Sequence, residues 1–128
     1  MDFLDLKDFI CSESFRRRPA MYLGELSVLS LRKYTDGYLM ALQIHHISEK
    51  NEVDFGSFHG FVANQYKIPN QAGWEHSILR MNQNKAAKSM SEFFKLFDRF
   101  INDEKEEAFY DNLTLLYEGR LKQNEVKF

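Results

Sequence analysis

The sequence predicts an all-α fold: a compact single-domain bundle of about five or six helices with an aromatic-rich core. Three observations lead there. Apolar residues return at intervals of three and four, the helical period, along most of the chain. Twelve Phe, six Tyr and one Trp supply large side chains for burial, enough to hold a fold without disulfides or metal. Two Pro and six Gly are scattered, leaving no linker, low-complexity stretch or repeat. At 128 residues the chain suits one helical domain over 1–128, able to bury about two-thirds of its unfolded surface.

The first helical pattern runs from about Phe3 to Phe15, with Phe3, Leu6 and Ile10 on one face and Leu4 and Phe9 broadening it. Pro19 ends it by disfavouring helical geometry at Arg18. A short connector from Ala20 to Leu26 follows, with Gly24 available for a positive φ. Ser27 is a good N-cap for a helix of roughly 20 residues whose inward stripe reads Leu31, Tyr34, Tyr38, Ala41 and His45. Gly37 lies inside it, where glycine costs up to about 1 kcal/mol against alanine, so close approach of another helix is expected there. Asp54 caps a third helix carrying Phe55, Phe58, Val62 and Tyr66, which ends near Pro69. Trp74, Ile78 and Met81 mark a short fourth. Met90, Phe93, Phe94, Phe97, Phe100 and Ile101 place a fifth, from about Lys85 to Ile101, at the centre of the core. A last helix turns Phe109, Leu113 and Leu116 inward, and acidic residues at its start suit the positive end of its dipole.

Charge and composition narrow the function. Seventeen basic and nineteen acidic residues argue against direct nucleic-acid binding. No run approaches the about 20 apolar residues of a membrane span. The opening residues MDFLDLKDFI lack the basic start and apolar stretch of a signal peptide. Cys11 is the only cysteine, which excludes an intramolecular disulfide and suits the reducing cytoplasm; within a helical pattern it reads as a buried, inert thiol.

No catalytic group stands out. No nucleophile elbow surrounds a serine, and no Walker loop or G-x-G-x-x-G occurs. His45 and His46 are adjacent, so a helix points them about 100° apart. His59 and His76 could join them only through the fold, and no metal-ligand spacing supports a site. The sequence therefore calls for no cofactor and no metal, and the chain reads as a binder rather than an enzyme. A cleft gathering His45, His59 and His76 would change that.

Two charged runs remain. Arg16, Arg17 and Arg18 are basic; Asp103, Glu104, Glu106, Glu107 and Asp111 are acidic, interrupted by Lys105. The run Arg17 to Gly24, R-R-P-A-M-Y-L-G, resembles the R-P-G-M-Y-I-G segment of the ATPase part of type II topoisomerases. The rest of that ATPase is missing, so the phrase reads as a helix end, a proline turn and two packed side chains.

A second resemblance spans roughly Phe9 to Phe100. R-R-P-A-M-Y-L-G, then S-x-x-x-L-x-x-Y-x-x-G-Y-x-x-A from Ser27, F-x-x-F-V-x-x-x-Y from Phe58, Gly73-Trp74 and F-F-K-L-F-D-R-F are together similar to a scattered family of small bacterial proteins. Its members look like immunity proteins of secreted polymorphic or contact-dependent toxins. The resemblance implies a cytoplasmic protein that binds the C-terminal domain of a cognate toxin, often a nuclease, and covers its active site. A nuclease cleft is basic, so Asp103, Glu104, Glu106, Glu107 and Asp111 are the expected toxin contacts. The alternative is a regulatory or adaptor protein that binds another protein or an anionic ligand through Arg16–Gly24. Oligomeric state is left open by the sequence.

Overall fold

The computed structural model describes residues 5–69 and 72–126, with side chains through residue 122. Among them eight helices and no strand occur: α1 (Leu6–Cys11), α2 (Glu13–Arg17), α3 (Pro19–Leu23), α4 (Val28–Ile44), α5 (Phe55–Tyr66), α6 (Gly73–Met81), α7 (Ala86–Phe100) and α8 (Glu107–Val126). The class matches the expectation, and the two additional helices have local causes.

The first is Ser12. The sequence reads as one helix to Phe15, but Ser12 is extended at ψ 143° and divides it. Its hydroxyl accepts from the Phe15 amide, opening α2, and donates to the Phe9 carbonyl at 2.7 Å, closing α1. A serine hydroxyl competes with the backbone in this way and so favours caps over helix interiors. Phe3 and Leu4, the start of the expected helix, lie outside the described residues. The second cause is Pro19. It occupies the first position of α3, where a missing N–H costs nothing, and Gly24 closes the turn at φ 85°. The stretch expected to be a connector is thus largely helical.

Asp5, Ser27 and Asp54 cap α1, α4 and α5 by accepting from the Asp8, Ser30 and Ser57 amides. The segment after α4 is tied back to the start of α1: Glu49 accepts from the Leu6 amide and the Tyr38 hydroxyl, and Asp5 accepts from Asn51. α6 opens without a cap of its own, so the Trp74 amide donates instead to His59 Nδ1 on α5 at 3.0 Å.

The core is the aromatic cluster the composition implied, with α7 at its centre. Met90, Phe93, Phe94 and Phe97 are buried, and α5, α6 and α8 pack on this helix. Phe58 lies edge-on to Trp74, Phe93, Phe97 and Phe100 at centroid distances of 5.2–6.2 Å. Edge-to-face pairs of this kind add about 0.5–1.5 kcal/mol beyond their area.

Three expected faces are corrected. On α4, Leu31 is buried, but Val28 and Thr35 accompany it rather than Tyr34, Ala41 and His45, which are exposed; Tyr38 is half-buried. This helix is apolar around most of its circumference, so spacing alone selects no face. On α8, Tyr110, Leu113 and Tyr117 are buried, Phe109 is exposed and Leu116 half-buried. The shift of register lets two tyrosine hydroxyls reach acceptors at the α2–α7 junction. Met81, expected inward on α6, is exposed. The close helix approach expected at Gly37 is absent: a Cβ there would meet nothing within 4 Å.

Candidate functional site

The arginine run divides in direction as soon as it folds. Arg16 turns inward and is 3 % exposed. Its Nη1 and Nη2 donate to both oxygens of Asp98, 0 % exposed, at 2.7 and 2.5 Å; its Nε donates to the Ile10 carbonyl at 2.9 Å. The guanidinium carbon sits 4.9 Å from the centre of the Phe94 ring. Tyr110 donates to Asp98 at 2.7 Å and accepts from the Lys105 amide, and the Tyr117 hydroxyl donates to the Arg16 carbonyl. Burial opposes the Arg16 cation, but its hydrogen bonds to Asp98 and the opposite charge outweigh that and hold it protonated more firmly than a free arginine. This ion pair joins α2, α7 and α8 in the interior and offers nothing to a ligand. Its signal was present in the sequence: Asp98 follows Phe94 by one helical turn on an otherwise apolar face, and a buried carboxylate requires a cation.

Arg17 and Arg18 face water. With Glu13, Ser14, Met21 and Tyr22 they line an open cleft of about 400 Å³ along α2 and α3. Arg17 has one partner, Glu13 at 3.7 Å, and Arg18 has no ion pair among the described residues. Met21 is 64 % exposed and Tyr22 and Tyr34 are exposed too. These aromatics are anchored: Tyr22 lies edge-on to Phe9 and Phe15 at 5.3 and 5.7 Å, and Tyr34 stacks on Phe9 at 5.5 Å. Since Phe15 itself packs on Phe94 of the core, the α2–α3 knuckle presents rigid aromatic surface beside two arginines. Sequence reading marked the segment Arg16–Gly24 but counted Tyr34 as core.

The five acidic residues expected to contact a partner lie in the turn after α7 and the first turns of α8. Three already have cations. Asp103 pairs with Lys105 at 2.7 Å, Glu104 with Arg99 at 2.7 Å and Glu107 with Lys95 at 2.8 Å. Hydrogen bonds from Lys105, Arg99 and Lys95 hold these carboxyls below the usual carboxylate range. Glu107 also stands in the first turn of α8, where the helix dipole favours it. Glu106 and Asp111 are exposed and have no ion pair among the described residues. The free negative charge is therefore smaller than the run suggests.

The histidines are dispersed. His45 and His46 are exposed beyond α4, His59 accepts from the α6 amide, and His76 is exposed on α6. Among the described residues no three His, Cys, Asp or Glu side chains are placed to hold a metal. Cys11 is half-buried at the end of α1 rather than fully buried, and desolvation pushes its thiol up. A thiol held protonated is a poor nucleophile. No helix among the described residues is long and apolar enough to cross a membrane. Comparison with protein families, with curated proteins and with solved structures finds no match to the chain.

Proposed function

We propose that the chain acts by binding another protein, as an immunity protein that neutralises the C-terminal domain of a cognate toxin. The observation that carries the binding half is the α2–α3 knuckle: Met21 and Tyr22 exposed beside Arg17 and Arg18, with exposed Tyr34 of α4 stacked on the Phe9 ring that Tyr22 also packs against. Aromatic, Met and Arg side chains are the types enriched where interfaces draw most of their energy. Anchoring on Phe9 and Phe15 limits the side-chain entropy lost on binding. The toxin half rests on the family resemblance, and Glu106 and Asp111 supply unpaired negative charge suited to a basic nuclease cleft.

The test is first whether a neighbouring gene encodes a toxin C-terminal domain, and then co-expression of this chain with that domain. Rescue of growth and co-purification are expected, with Met21→Asp plus Arg18→Glu, two exposed side chains without an aromatic or ionic partner among the described residues, abolishing both while leaving the melting temperature within about 4 °C. Neither rescue nor a complex with the unaltered chain would sink the reading.

A second reading is favoured by Arg18, which lies in the cleft without an ionic partner: an adaptor or regulator that takes an anionic ligand there. Calorimetry with ATP and with inorganic phosphate tests it. Heat that disappears in Arg17→Ala plus Arg18→Ala supports this role; no heat from either ligand rejects it.

A further inference from the structure

Helices α2 and α3 have 5 residues each, far below the about 12–15 at which an isolated helix becomes even marginally stable in water. Tertiary contacts must therefore hold the knuckle. Phe15 and Arg16 anchor α2 in the interior, and Pro19 is the buried residue of α3. Between these anchors lies the joint at Arg18, which ends α2 and opens α3 without a side-chain cap. A helix leaves its last carbonyls without intrahelical donors. Here two of those donors come from α8: the Tyr117 hydroxyl donates to the Arg16 carbonyl, and Arg120 Nη1 donates to the Arg17 carbonyl. Tyr117 and Arg120 stand one helical turn apart, on the same face of α8.

Packing leaves α3 room on two opposite faces. Arg18, Met21 and Tyr22 border the cleft of about 400 Å³ already described. Pro19, Ala20 and Gly24 point the other way, into a second cleft of about 340 Å³ whose far wall is Tyr117, Arg120 and Leu121 of α8. Tyr22 is fixed through Phe9 and Phe15, but those rings do not reach the peptide groups of Arg16 and Arg17. Arg120 makes no ion pair among the described residues, so its guanidinium serves the Arg17 carbonyl.

We infer that Tyr117 and Arg120 are positioning residues for the knuckle: from α8 they hold the two peptide groups that carry Arg17 and Arg18, and so set where those arginines stand relative to Met21 and Tyr22. The inference deepens the partner-binding role and rests on it. A surface whose charged and aromatic groups are held at fixed separation loses less conformational freedom on binding. Without the two donors the joint at Arg18 opens locally, the arginines lose their fixed place beside Tyr22, and the core helices stay folded. Residues that touch no partner would thus govern how well the knuckle binds one.

Native-state hydrogen exchange of the full chain alone is the first arm of the test. The Arg18 and Met21 amides donate to the Phe15 and Arg18 carbonyls. They are expected to exchange through a local opening almost independent of low urea, because little surface is exposed. Arg120→Met and Tyr117→Phe should each speed that exchange about tenfold. Arg120→Lys keeps a cationic donor and should return it to within about threefold of the wild type. Exchange of these amides only with global unfolding, at the urea slope of the Phe93 and Phe97 amides, overturns the inference, as does exchange indifferent to both Arg120→Met and Tyr117→Phe. The second arm is the affinity for the toxin C-terminal domain encoded by a neighbouring gene, expected to fall about threefold or more in Arg120→Met and to recover in Arg120→Lys. Undiminished affinity in both Arg120→Met and Tyr117→Phe overturns the positioning role and leaves the proposed function standing. No complex with the unaltered chain, with exchange as expected, overturns the proposed function and leaves the hold of α8 on the joint supported.

Discussion

Replacing Asp98 with alanine isolates the energetics of the buried Arg16 ion pair. The substitution removes two charge-assisted hydrogen bonds at 2.7 and 2.5 Å and the acceptor of Tyr110, and leaves a guanidinium 3 % exposed with no anion. Breaking a buried pair from one side costs about 3–5 kcal/mol, chiefly through the charge left behind. Unfolding entropy of roughly 2.1 cal/mol/K per residue converts 1 kcal/mol into about 3.7 °C for a chain of this length. Asp98→Ala should therefore lower the melting temperature by about 11–19 °C. Removing both charges is a different perturbation. In Arg16→Met plus Asp98→Leu no uncompensated ion remains, and apolar replacements of buried pairs are often neutral or stabilising by about 1–4 kcal/mol. The assay is urea and thermal denaturation of the wild type, Asp98→Ala, the single variants Arg16→Met and Asp98→Leu, and their double variant, followed by circular dichroism. The double variant should be more stable than Asp98→Ala. An Asp98→Ala cost below about 1 kcal/mol, or single costs that add in the double variant to within about 0.5 kcal/mol, would falsify this account of the network.

Other outcomes follow from local geometry. Ser12→Ala removes the hydroxyl shared by α1 and α2 and should cost about 1 kcal/mol, seen as a lower urea midpoint at unchanged slope. Gly73→Ala should cost about 1–3 kcal/mol, because Gly73 sits at φ 79° and a Cβ would collide with the Glu75 carboxylate that pairs with Arg32; the same change at Gly37, helical and unobstructed, should stabilise the isolated chain. Alkaline pH should unfold the protein. Burial and the neighbouring Glu49 push Tyr38 up to about 12, and burial raises Tyr66, Tyr110 and Tyr117 further. The folded state thus holds these protons more tightly than the unfolded chain. Their contribution is complete below the unfolded tyrosine pKa of about 10 and is lost as pH rises through the raised values. Ionisation of these four tyrosines should accompany loss of helix above about pH 11; their ionisation near the ordinary tyrosine value with the helices intact would contradict that.

Much of the fold was legible because its causes are local. The caps Ser27 and Asp54, the stop at Pro19, the glycine at 24 and the aromatic face of α7 each depend on residues within one or two turns, so spacing and residue type suffice. Ser12 was legible in principle, as a cap candidate inside an apolar pattern, but the periodicity of Phe3, Leu6 and Ile10 hid the break. Faces were harder. On α4 and α8 apolar residues occupy most of the circumference, and which of them turns inward depends on what neighbouring helices offer. Tyr110 replaces Phe109 because Asp98 accepts its hydroxyl.

The sequence by itself determined that this chain folds as helices around Phe, Tyr and Trp, because helical spacing, caps and breakers act over a few residues. Only the tertiary structure decided which charges are paired and which side chains stay exposed. Arg16, Arg17 and Arg18 are chemically identical and adjacent, yet one is buried against Asp98, 82 positions away, and two line an open cleft. The acidic run loses three of its five charges to Lys105, Arg99 and Lys95. Long-range pairing and burial set the free energy of a charge, and neither is encoded in its immediate neighbours.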